Sequence, residues 1–372
     1  MGFTEVGSQP LYSRFPIHTF RSDLSITTEV DTSLALTALC NTPLALSAWI
    51  AEYGGLDSSP WGRVVVGEVI WAAGEPRCPQ YMSVNWVARA IMLAGSQEQK
   101  DQFLAPITRG EATWCQGFSE PDAGSDLAAL RTRANRDGDV FVVNGQKIWT
   151  SYAHEADFCF LLVRTDPIAE FRDGISILPV PMDLPGIEVR DIPTPFVGHI
   201  LHEVFLNDVQ VPVECLLGEE NRGWTVVRHS LTEERVGIAR YAYKEQALME
   251  ATDQVESLGG SLDDPSVVEG IDNGSAFAEA TRSMMYVAVQ EQIDDPTGLR
   301  PMASVWLAIG PGLAEMATRD LLMEIQGAEG LVEHTMADPF TSLGTTGPIA
   351  AGTLENQLNG VARHCLNLPK GP

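Results

Sequence analysis

The chain has 372 residues, and its 50 aspartates and glutamates against 24 lysines and arginines give a net charge of −26. So acidic a surface repels the phosphates of nucleic acids and of anionic membranes, so we expect neither as a partner. Hydrophobic residues form 44% of the chain, enough for two or three domains with substantial cores.

The six cysteines are scattered and form no Cys-x-x-Cys pair. This spacing predicts free thiols in a reducing compartment. No basic N-terminal region precedes an apolar run, and the apolar runs are too short to cross a bilayer. We therefore expect a cytoplasmic protein.

Residues 1–112 are predicted to form a helical domain. Apolar residues recur at helical spacing over 64–71 and 86–92. Gly95 is expected to end one helix, and Ser96 is expected to cap the next one.

Residues 113–218 are predicted to form a domain of short strands. The Asn144-Gly145 pair between 140–143 and 146–149 predicts a hairpin turn. Further apolar runs at 158–163, 175–180 and 203–206 predict additional strands. The strands suit a small antiparallel barrel or sandwich, and an antiparallel β-barrel is the arrangement that we predict.

Residues 219–372 again carry helical spacing, over 224–251, 276–292 and 303–326. A glycine- and aspartate-rich breaker separates the first two of these segments. The order helical, all-β, helical predicts an α+β fold with three domains.

Two motifs carry the chemistry. The segment 117–126 crowds small residues and hydroxyls around Pro121, and the segment 146–151 places Trp149 two residues before Ser151. Alternation along a strand would put Trp149 and Ser151 on one face. Together the motifs suit a flat ring with polar edges and point to a flavin. The alternative is structural, with Trp149 in the core and the serines capping turns.

These motifs, Ser119-Glu120-Pro121-x-Ala123-Gly124-Ser125-Asp126 above all, resemble those of the acyl-CoA dehydrogenase family. The likeness runs from about residue 50 to the C-terminus. It implies a middle β domain between two helical domains, the last being a four-helix bundle that oligomerises. It also implies FAD, dehydrogenation of an acyl-CoA to the trans-2-enoyl-CoA, and electron transfer to an electron-transferring flavoprotein.

The resemblance also implies the site residues. Trp149 would lie against the flavin ring, while Ser119 and Ser151 would bond its polar edge. Ser125, Arg235 and Ala351 are expected to contact the substrate. The full set expected to bind the cofactor is Gln116, Phe118, Ser119, Gly124, Ser125, Trp149, Thr150, Ser151, Thr353 and Glu355.

The reaction needs a carboxylate that removes the α-proton of the thioester. The family's commoner position for it immediately precedes a Gly-Thr pair, and here that position is Ala351, whose backbone N–H remains able to donate. The rarer position precedes an arginine early in the helix after the β domain, which matches Glu234. We predict Glu234 as the base, with Glu355 as a weaker candidate; Glu233 projects about 100° away around the helix. The alternative is that Glu234 is only a paired carboxylate on a helix face.

Two segments depart from the family pattern where it holds the adenosine half of FAD. Residues 258–265 lack the family's arginine, and Glu324 stands where the family has a glutamine. A carboxylate near a pyrophosphate is unfavourable. The chain is therefore expected to form either a homo-oligomer or an α2β2 heterotetramer with a second, similar chain.

Two other functions are compatible with the same fold. They are a non-catalytic or partner-dependent subunit and a flavin monooxygenase. His199 and His202 have a spacing that suits a metal, but no third ligand is apparent and we expect no metal site.

Overall fold

The structure is a computed structural model that describes residues 49, 51–72, 79–194, 200–233, 235–295, 302–331, 349, 352–364 and 366–369. Glu234, Ala351 and His199, three of the residues singled out from the sequence, lie outside this part of the chain. No helix in the described ranges is long and apolar enough to span a membrane.

Among the described residues, four α-helices and a π-helical turn precede the sheet. Ser96 caps α4 as predicted, since its Oγ accepts from Gln99 N at 3.2 Å while Gln99 Oε1 accepts from Ser96 N at 3.1 Å. This reciprocal box satisfies two of the N–H groups that a helix start leaves open. The elements are α1 (Pro60–Ala72), α2 (Pro79–Met82), the π turn (Ser83–Val87), α3 (Ala88–Ala94) and α4 (Gln97–Thr108).

The middle of the chain forms one seven-stranded sheet. Its strands follow the spatial order β1-β4-β2-β3-β7-β6, with β5 paired to β4. The strands are β1 (Trp114–Gly117), β2 (Arg133–Asp137), β3 (Val140–Ser151), β4 (Phe158–Arg164), β5 (Ile175–Pro181), β6 (Ile187–Asp191) and β7 (Leu201–Pro212).

The predicted closed antiparallel barrel is wrong. The sheet is a curled half-barrel with open ends, and β1 pairs with β4 in parallel. Side chains alternate between the two faces of a strand in closed barrels and in open sheets alike. The alternation in the sequence therefore did not distinguish a closed barrel from an open half-barrel.

The predicted hairpin at Asn144-Gly145 is also wrong. Both residues lie inside the 12-residue strand β3, and the turn is instead at Gly138 and Asp139, between β2 and β3. A Cβ on Gly145 would lie 2.4 Å from Thr132 Oγ1, and the register with β7 shifts at this glycine. Gly145 therefore permits close approach of two backbones at a bulge, not chain reversal.

Five described helices follow the sheet: α5 (Gly223–Glu233), α6 (Arg240–Asp253), α7 (Pro265–Asp294), α8 (Met302–Gln326) and α9 (Leu354–His364). The single helix predicted over 224–251 is broken into α5 and α6. The break contains Gly237 at φ 85°, a left-handed conformation that interrupts a helix. The predicted four-helix count is not established by the described residues.

One continuous core joins the helices to the sheet. It contains Trp86 from the π turn, Phe118 and Phe160 from the sheet region, and Val227 and Tyr241 from α5 and α6. Helix α5 packs against both α3 and β5. The segment after β1 thus lies where all three parts of the chain meet, a common location for ligand sites.

Candidate functional site

The loop that follows β1 is organised by a buried carboxylate. Glu120 accepts hydrogen bonds from the backbone N–H groups of Arg131 and Thr132, at 2.7 and 2.8 Å. Its own backbone pairs reciprocally with Ala123, at 3.0 Å in both directions. These bonds close the turn around Pro121 and hold the loop against the start of β2.

A fully buried lysine on β3 completes this arrangement. Lys147 Nζ lies 2.8 Å from Glu120 Oε1 and donates to the Phe118 carbonyl at 3.0 Å. Burial alone would raise the pKa of Glu120, but the ion pair and hydrogen bonds outweigh it and hold the pKa below its ordinary value. Burial lowers the pKa of Lys147, and the pair with Glu120 offsets part of that shift. The pair ties the loop rigidly to β3.

Trp149 projects from β3 at an irregularity in the sheet. Among the tryptophans whose side chains the structure describes, it alone is exposed, by 55%. Its φ is 60°, and the β3–β7 register shifts between Lys147 and Thr150. A left-handed bulky residue is strained and persists only where its surroundings impose it. The bulge therefore presents an indole face at the surface, where another flat ring can stack.

The hydroxyl residues around Trp149 differ in their environments. Ser119 and Ser151 are half-buried, and the Ser119 carbonyl accepts from Ile148 N at 2.9 Å. That bond places Ser119 beside the residue that precedes Trp149. Thr150, in contrast, is completely buried. Ser119 thus lies beside the part of β3 that carries Trp149 and Ser151.

Gln116 and Phe118 form the inner wall beside this strand. Gln116 Oε1 accepts from Trp86 Nε1 at 2.7 Å, and Phe118 is buried against Phe160, with 5.8 Å between ring centroids. Trp86 lies in the π-helical turn, a distortion that is frequent at functional sites. The N-terminal helices are therefore bonded directly to the strand that leads into the candidate site.

The outer end of the loop is open. Gly124, Ser125 and Asp126 are exposed, and a Cβ built on Gly124 would meet no atom within 4 Å. Arg164 fixes the chain beyond it by donating to the carbonyls of Ala128 and Leu130, at 2.7 and 3.2 Å. A rigid loop base with an open rim suits recognition of an extended ligand.

The α5–α6 break lies beside the segment that leads into α9. A Cβ on Gly352 would lie 3.6 Å from Arg235 Nη2. Thr353 caps α9 by accepting from Asn356 N at 3.3 Å, and Glu355 is exposed in the first turn. The two alternative base positions, 234 and 351, immediately precede residues that lie side by side.

Two residues that position this site were not predicted as part of it. Lys147 was not predicted to have a role in the site. In a chain with few lysines, a lysine on the inward-facing side of a strand indicates a buried partner for its charge. His202, considered only as a metal ligand, is fully buried and its Nδ1 lies 3.2 Å from the Thr150 carbonyl. No cluster of three or more potential metal ligands occurs in the described ranges.

Acidification is expected to destabilise the protein through His202. Burial lowers the pKa of His202, although the bond to the Thr150 carbonyl offsets part of that shift. The unfolded chain therefore takes up this proton at a higher pH than the folded protein does. Between the pKa of His202 in the unfolded chain and its lower pKa in the folded protein, the free energy of unfolding falls by about 1.4 kcal/mol for each unit by which the pH is lowered.

Urea unfolding from pH 7 to pH 5 would measure this dependence. His202→Gln keeps a donor for the Thr150 carbonyl and should flatten the slope. Equal slopes in the wild type and in His202→Gln would show that His202 does not carry the effect.

Three family models match the chain in sequence order. They are the acyl-CoA dehydrogenase N-terminal domain over residues 25–111, the middle domain over 115–209 and the C-terminal domain over 221–366. Together they include the loop after β1, the bulge of β3 and the α5–α6 break.

Curated relatives carry the same family name. Acyl-CoA dehydrogenase FadE34 of Mycobacterium tuberculosis is 35% identical over 338 residues, which cover 90% of this chain and 46% of FadE34. The chain thus spans about half the length of that relative. Acyl-CoA dehydrogenase IpdE1 of Mycolicibacterium smegmatis is 31% identical over 347 residues, covering 88% of this chain and 86% of IpdE1.

Similar solved structures include two complexes. The Tcur3481-Tcur3483 steroid ACAD matches with a TM-score of 0.83 and 28% identity, covering 97% of this chain and 95% of that one. The ChsE4-ChsE5 complex from Mycobacterium tuberculosis matches with a TM-score of 0.81 and 27% identity, covering 99% of this chain and 100% of that one.

Proposed function

The chain belongs to the acyl-CoA dehydrogenase family, and on that premise we propose that it oxidises the Cα–Cβ bond of an acyl-CoA with FAD as cofactor. The observation that carries this proposal is the exposed Trp149 indole, held by a strained bulge beside Ser119 and Ser151. A merely structural tryptophan would be expected in the core, where its large apolar surface is removed from water.

The residues around the bulge fit the isoalloxazine end of FAD. Trp149 offers a stacking face, and the hydroxyls of Ser119 and Ser151 are available to the polar edge of the ring. Phe118 closes the inner side, and Lys147 keeps the loop in register with β3. When bound, FAD supplies the acceptor for the hydride that leaves the β-carbon of the substrate.

Glu234 is proposed as the base that takes the α-proton. It is preceded in the chain by the end of α5 and followed by Arg235, whose guanidinium lies beside Gly352. The N–H of Ala351, the residue before Gly352 in the chain, is proposed to donate to the thioester oxygen as negative charge develops there. Such a donor typically lowers the barrier by about 3 kcal/mol.

A bulky acyl group is the proposed substrate class. Similar structures include one titled as a steroid ACAD. The proposed electron acceptor is an electron-transferring flavoprotein.

An acidic surface favours a heteromeric assembly. The two segments that depart from the family pattern lie together, because a Cβ on Gly260 would be 3.1 Å from the Ile325 side chain. The two segments carry four exposed acidic residues, Asp263, Asp264, Glu324 and Glu329. Such a surface repels a pyrophosphate. We propose that this chain holds the flavin end of FAD and that a second, homologous chain in an α2β2 tetramer supplies the contacts to the adenosine end.

The chain produced alone is therefore expected to retain far less than one FAD per protomer. Coproduction with its partner chain should raise the ratio toward one FAD per site, measured from flavin and protein absorbance after size-exclusion chromatography. Glu324→Gln, which removes one carboxylate from this surface, should raise the FAD content of the chain alone. Full FAD occupancy in a homomer would contradict the need for a partner.

The reaction itself is tested by anaerobic addition of saturated acyl-CoA thioesters to the FAD-loaded protein. Loss of flavin absorbance together with formation of the trans-2-enoyl-CoA supports the proposal. Stable FAD binding without bleaching by any of a graded set of acyl-CoAs would favour the non-catalytic subunit. A hydroxylated product that requires oxygen would favour the monooxygenase.

A further inference from the structure

The α5–α6 break is buried although it forms no helix. Its residues Val236, Gly237, Ile238 and Ala239 are all buried. Backbone N–H and C=O groups that water cannot reach need hydrogen-bond partners within the protein. The elements packed around the break therefore have to supply those partners.

Helix α7 supplies one of them through a sulfur atom. The Gly237 N–H donates to Met285 Sδ at 3.0 Å, and Met285 itself is buried. A thioether sulfur is a weak acceptor, so this bond depends on close packing of α7 against the break. A leucine at 285 would fill a similar volume but would offer the N–H no acceptor.

Helix α1 holds the same part of the break. Arg63 Nη1 donates to the Val236 carbonyl at 2.9 Å. A Cβ on Gly237 would lie 2.9 Å from Arg63 Cδ, and a Cβ on Gly67 would lie 3.5 Å from the Gly237 carbonyl oxygen. Gly237 is therefore held by α1 and by α7, two helices that are more than 190 residues apart in sequence.

A carboxylate joins these helices to α6 as well. Glu68 Oε1, on α1, accepts from the hydroxyls of Tyr241 on α6 and Tyr286 on α7, at 2.7 and 2.8 Å. Burial raises the pKa of Tyr241, and its bond to Glu68 raises that pKa further, so this hydroxyl stays a donor. Tyr286 directly follows Met285 in α7. A second set of bonds thus keeps α7 in place where its sulfur meets Gly237.

These contacts matter for position 234 because the chain around it is short. Gly237 is only three residues further on, and three residues span at most about 11 Å. The Thr232 carbonyl, two residues before position 234, accepts from Arg235 N and Val236 N at 3.0 and 2.9 Å. A group that removes a proton must lie within hydrogen-bond reach of it, and a misplacement of about 1 Å can cost about 10²-fold in rate.

We propose that Met285 is a positioning residue for removal of the α-proton. Its sulfur holds the Gly237 N–H, and this bond fixes the direction in which the chain leaves the base at 234. The inference rests on the proposed function, because it assumes that Glu234 acts on an acyl-CoA. Met285 takes no part in the chemistry itself and acts through the backbone of the break.

Met285→Leu keeps the volume of the side chain and removes the acceptor. In the FAD-loaded protein, with its partner chain where one is needed, anaerobic flavin reduction by a saturated acyl-CoA is expected to slow about tenfold. The FAD content and the dissociation constant of the acyl-CoA should stay the same. Deuterium at the α-carbon should slow the variant more than the wild type, since proton removal becomes a larger part of the barrier. Met285→Gln offers an amide oxygen to the Gly237 N–H and should recover part of the rate.

The matched control is Met284→Leu, the same substitution one residue earlier on α7, which should reduce the flavin at the wild-type rate. An unchanged rate or an unchanged isotope effect in Met285→Leu would overturn the inference. Loss of FAD or of acyl-CoA affinity along with the rate would also overturn it, since Met285 would then serve folding alone. A wild-type protein that no acyl-CoA bleaches would contradict the proposed function and this inference together, whereas a bleached wild type with a normal Met285→Leu would contradict the inference alone.

Discussion

Replacing Glu234 by glutamine is expected to slow flavin reduction by an acyl-CoA about 10²–10⁴-fold. The amide has nearly the same shape as the carboxylate but accepts no proton at this position. The dissociation constant of the acyl-CoA should change little, because the thioester contacts remain. Anaerobic stopped-flow absorbance of the flavin measures the rate, and calorimetry measures the affinity.

The matched control for this variant is Glu233→Gln, the adjacent carboxylate at the end of α5. It removes the same charge one residue earlier in the chain, at the last position of α5. Flavin reduction in this control should stay close to the wild-type rate. Normal reduction in Glu234→Gln would show that Glu234 is not the base, and loss of reduction in Glu233→Gln alone would move the role to its neighbour.

The contact between Arg235 and Gly352 gives a further test of the same assignment. The residues preceding these two are 234 and 351, so both of the family's base positions lie next to one contact. Adding Ala351→Glu to Glu234→Gln is expected to restore part of the lost rate. Addition of a carboxylate at an unrelated place, such as Gln102→Glu on the exposed side of α4, should restore none of it.

The sequence predicted the local features that short-range hydrogen bonds govern. Ser96 caps the helix where expected, and the bond from Ile148 N to the Ser119 carbonyl joins the two motifs that were expected to act together. The roles of Ser119, Trp149 and Ser151 toward a cofactor stay predictions. The bulge at Trp149 could not be predicted, since it depends on how β3 pairs with β7, 50 residues further along the chain.

The errors share one cause. Gly145 and Gly237 each lack a side chain at a point where another residue comes close. That residue is Thr132 at Gly145 and Arg63 at Gly237. A glycine in sequence signals a turn, a bulge or a close approach equally well, and only the tertiary neighbour decides among them. The open sheet was missed for a similar reason, because the parallel pairing of β1 with β4 joins segments that are distant in sequence.

Replacing Lys147 by methionine is expected to lower the free energy of unfolding by about 3–5 kcal/mol, because it leaves a buried carboxylate without its counter-charge. The Phe118 carbonyl also loses a donor. Since the folded pKa of Glu120 is held below its ordinary value by this pair, the stability that the pair contributes is present at neutral pH. It is lost as the pH falls through the folded pKa, so the difference between variant and wild type should shrink in acid.

Neutralising both partners separates the cost of an unpaired charge from the value of the pair itself. Glu120→Gln/Lys147→Met leaves no buried charge, so it should be more stable than Lys147→Met alone. Arg109→Met breaks an exposed pair with Glu111 and should leave the unfolding midpoint nearly unchanged. Urea denaturation followed by tryptophan fluorescence measures all three, and flavin absorbance after purification shows whether the loop still binds the cofactor. A Lys147→Met protein as stable as the wild type would mean that the loop after β1 is held by its backbone bonds alone, and the buried pair would then have no role in shaping the site.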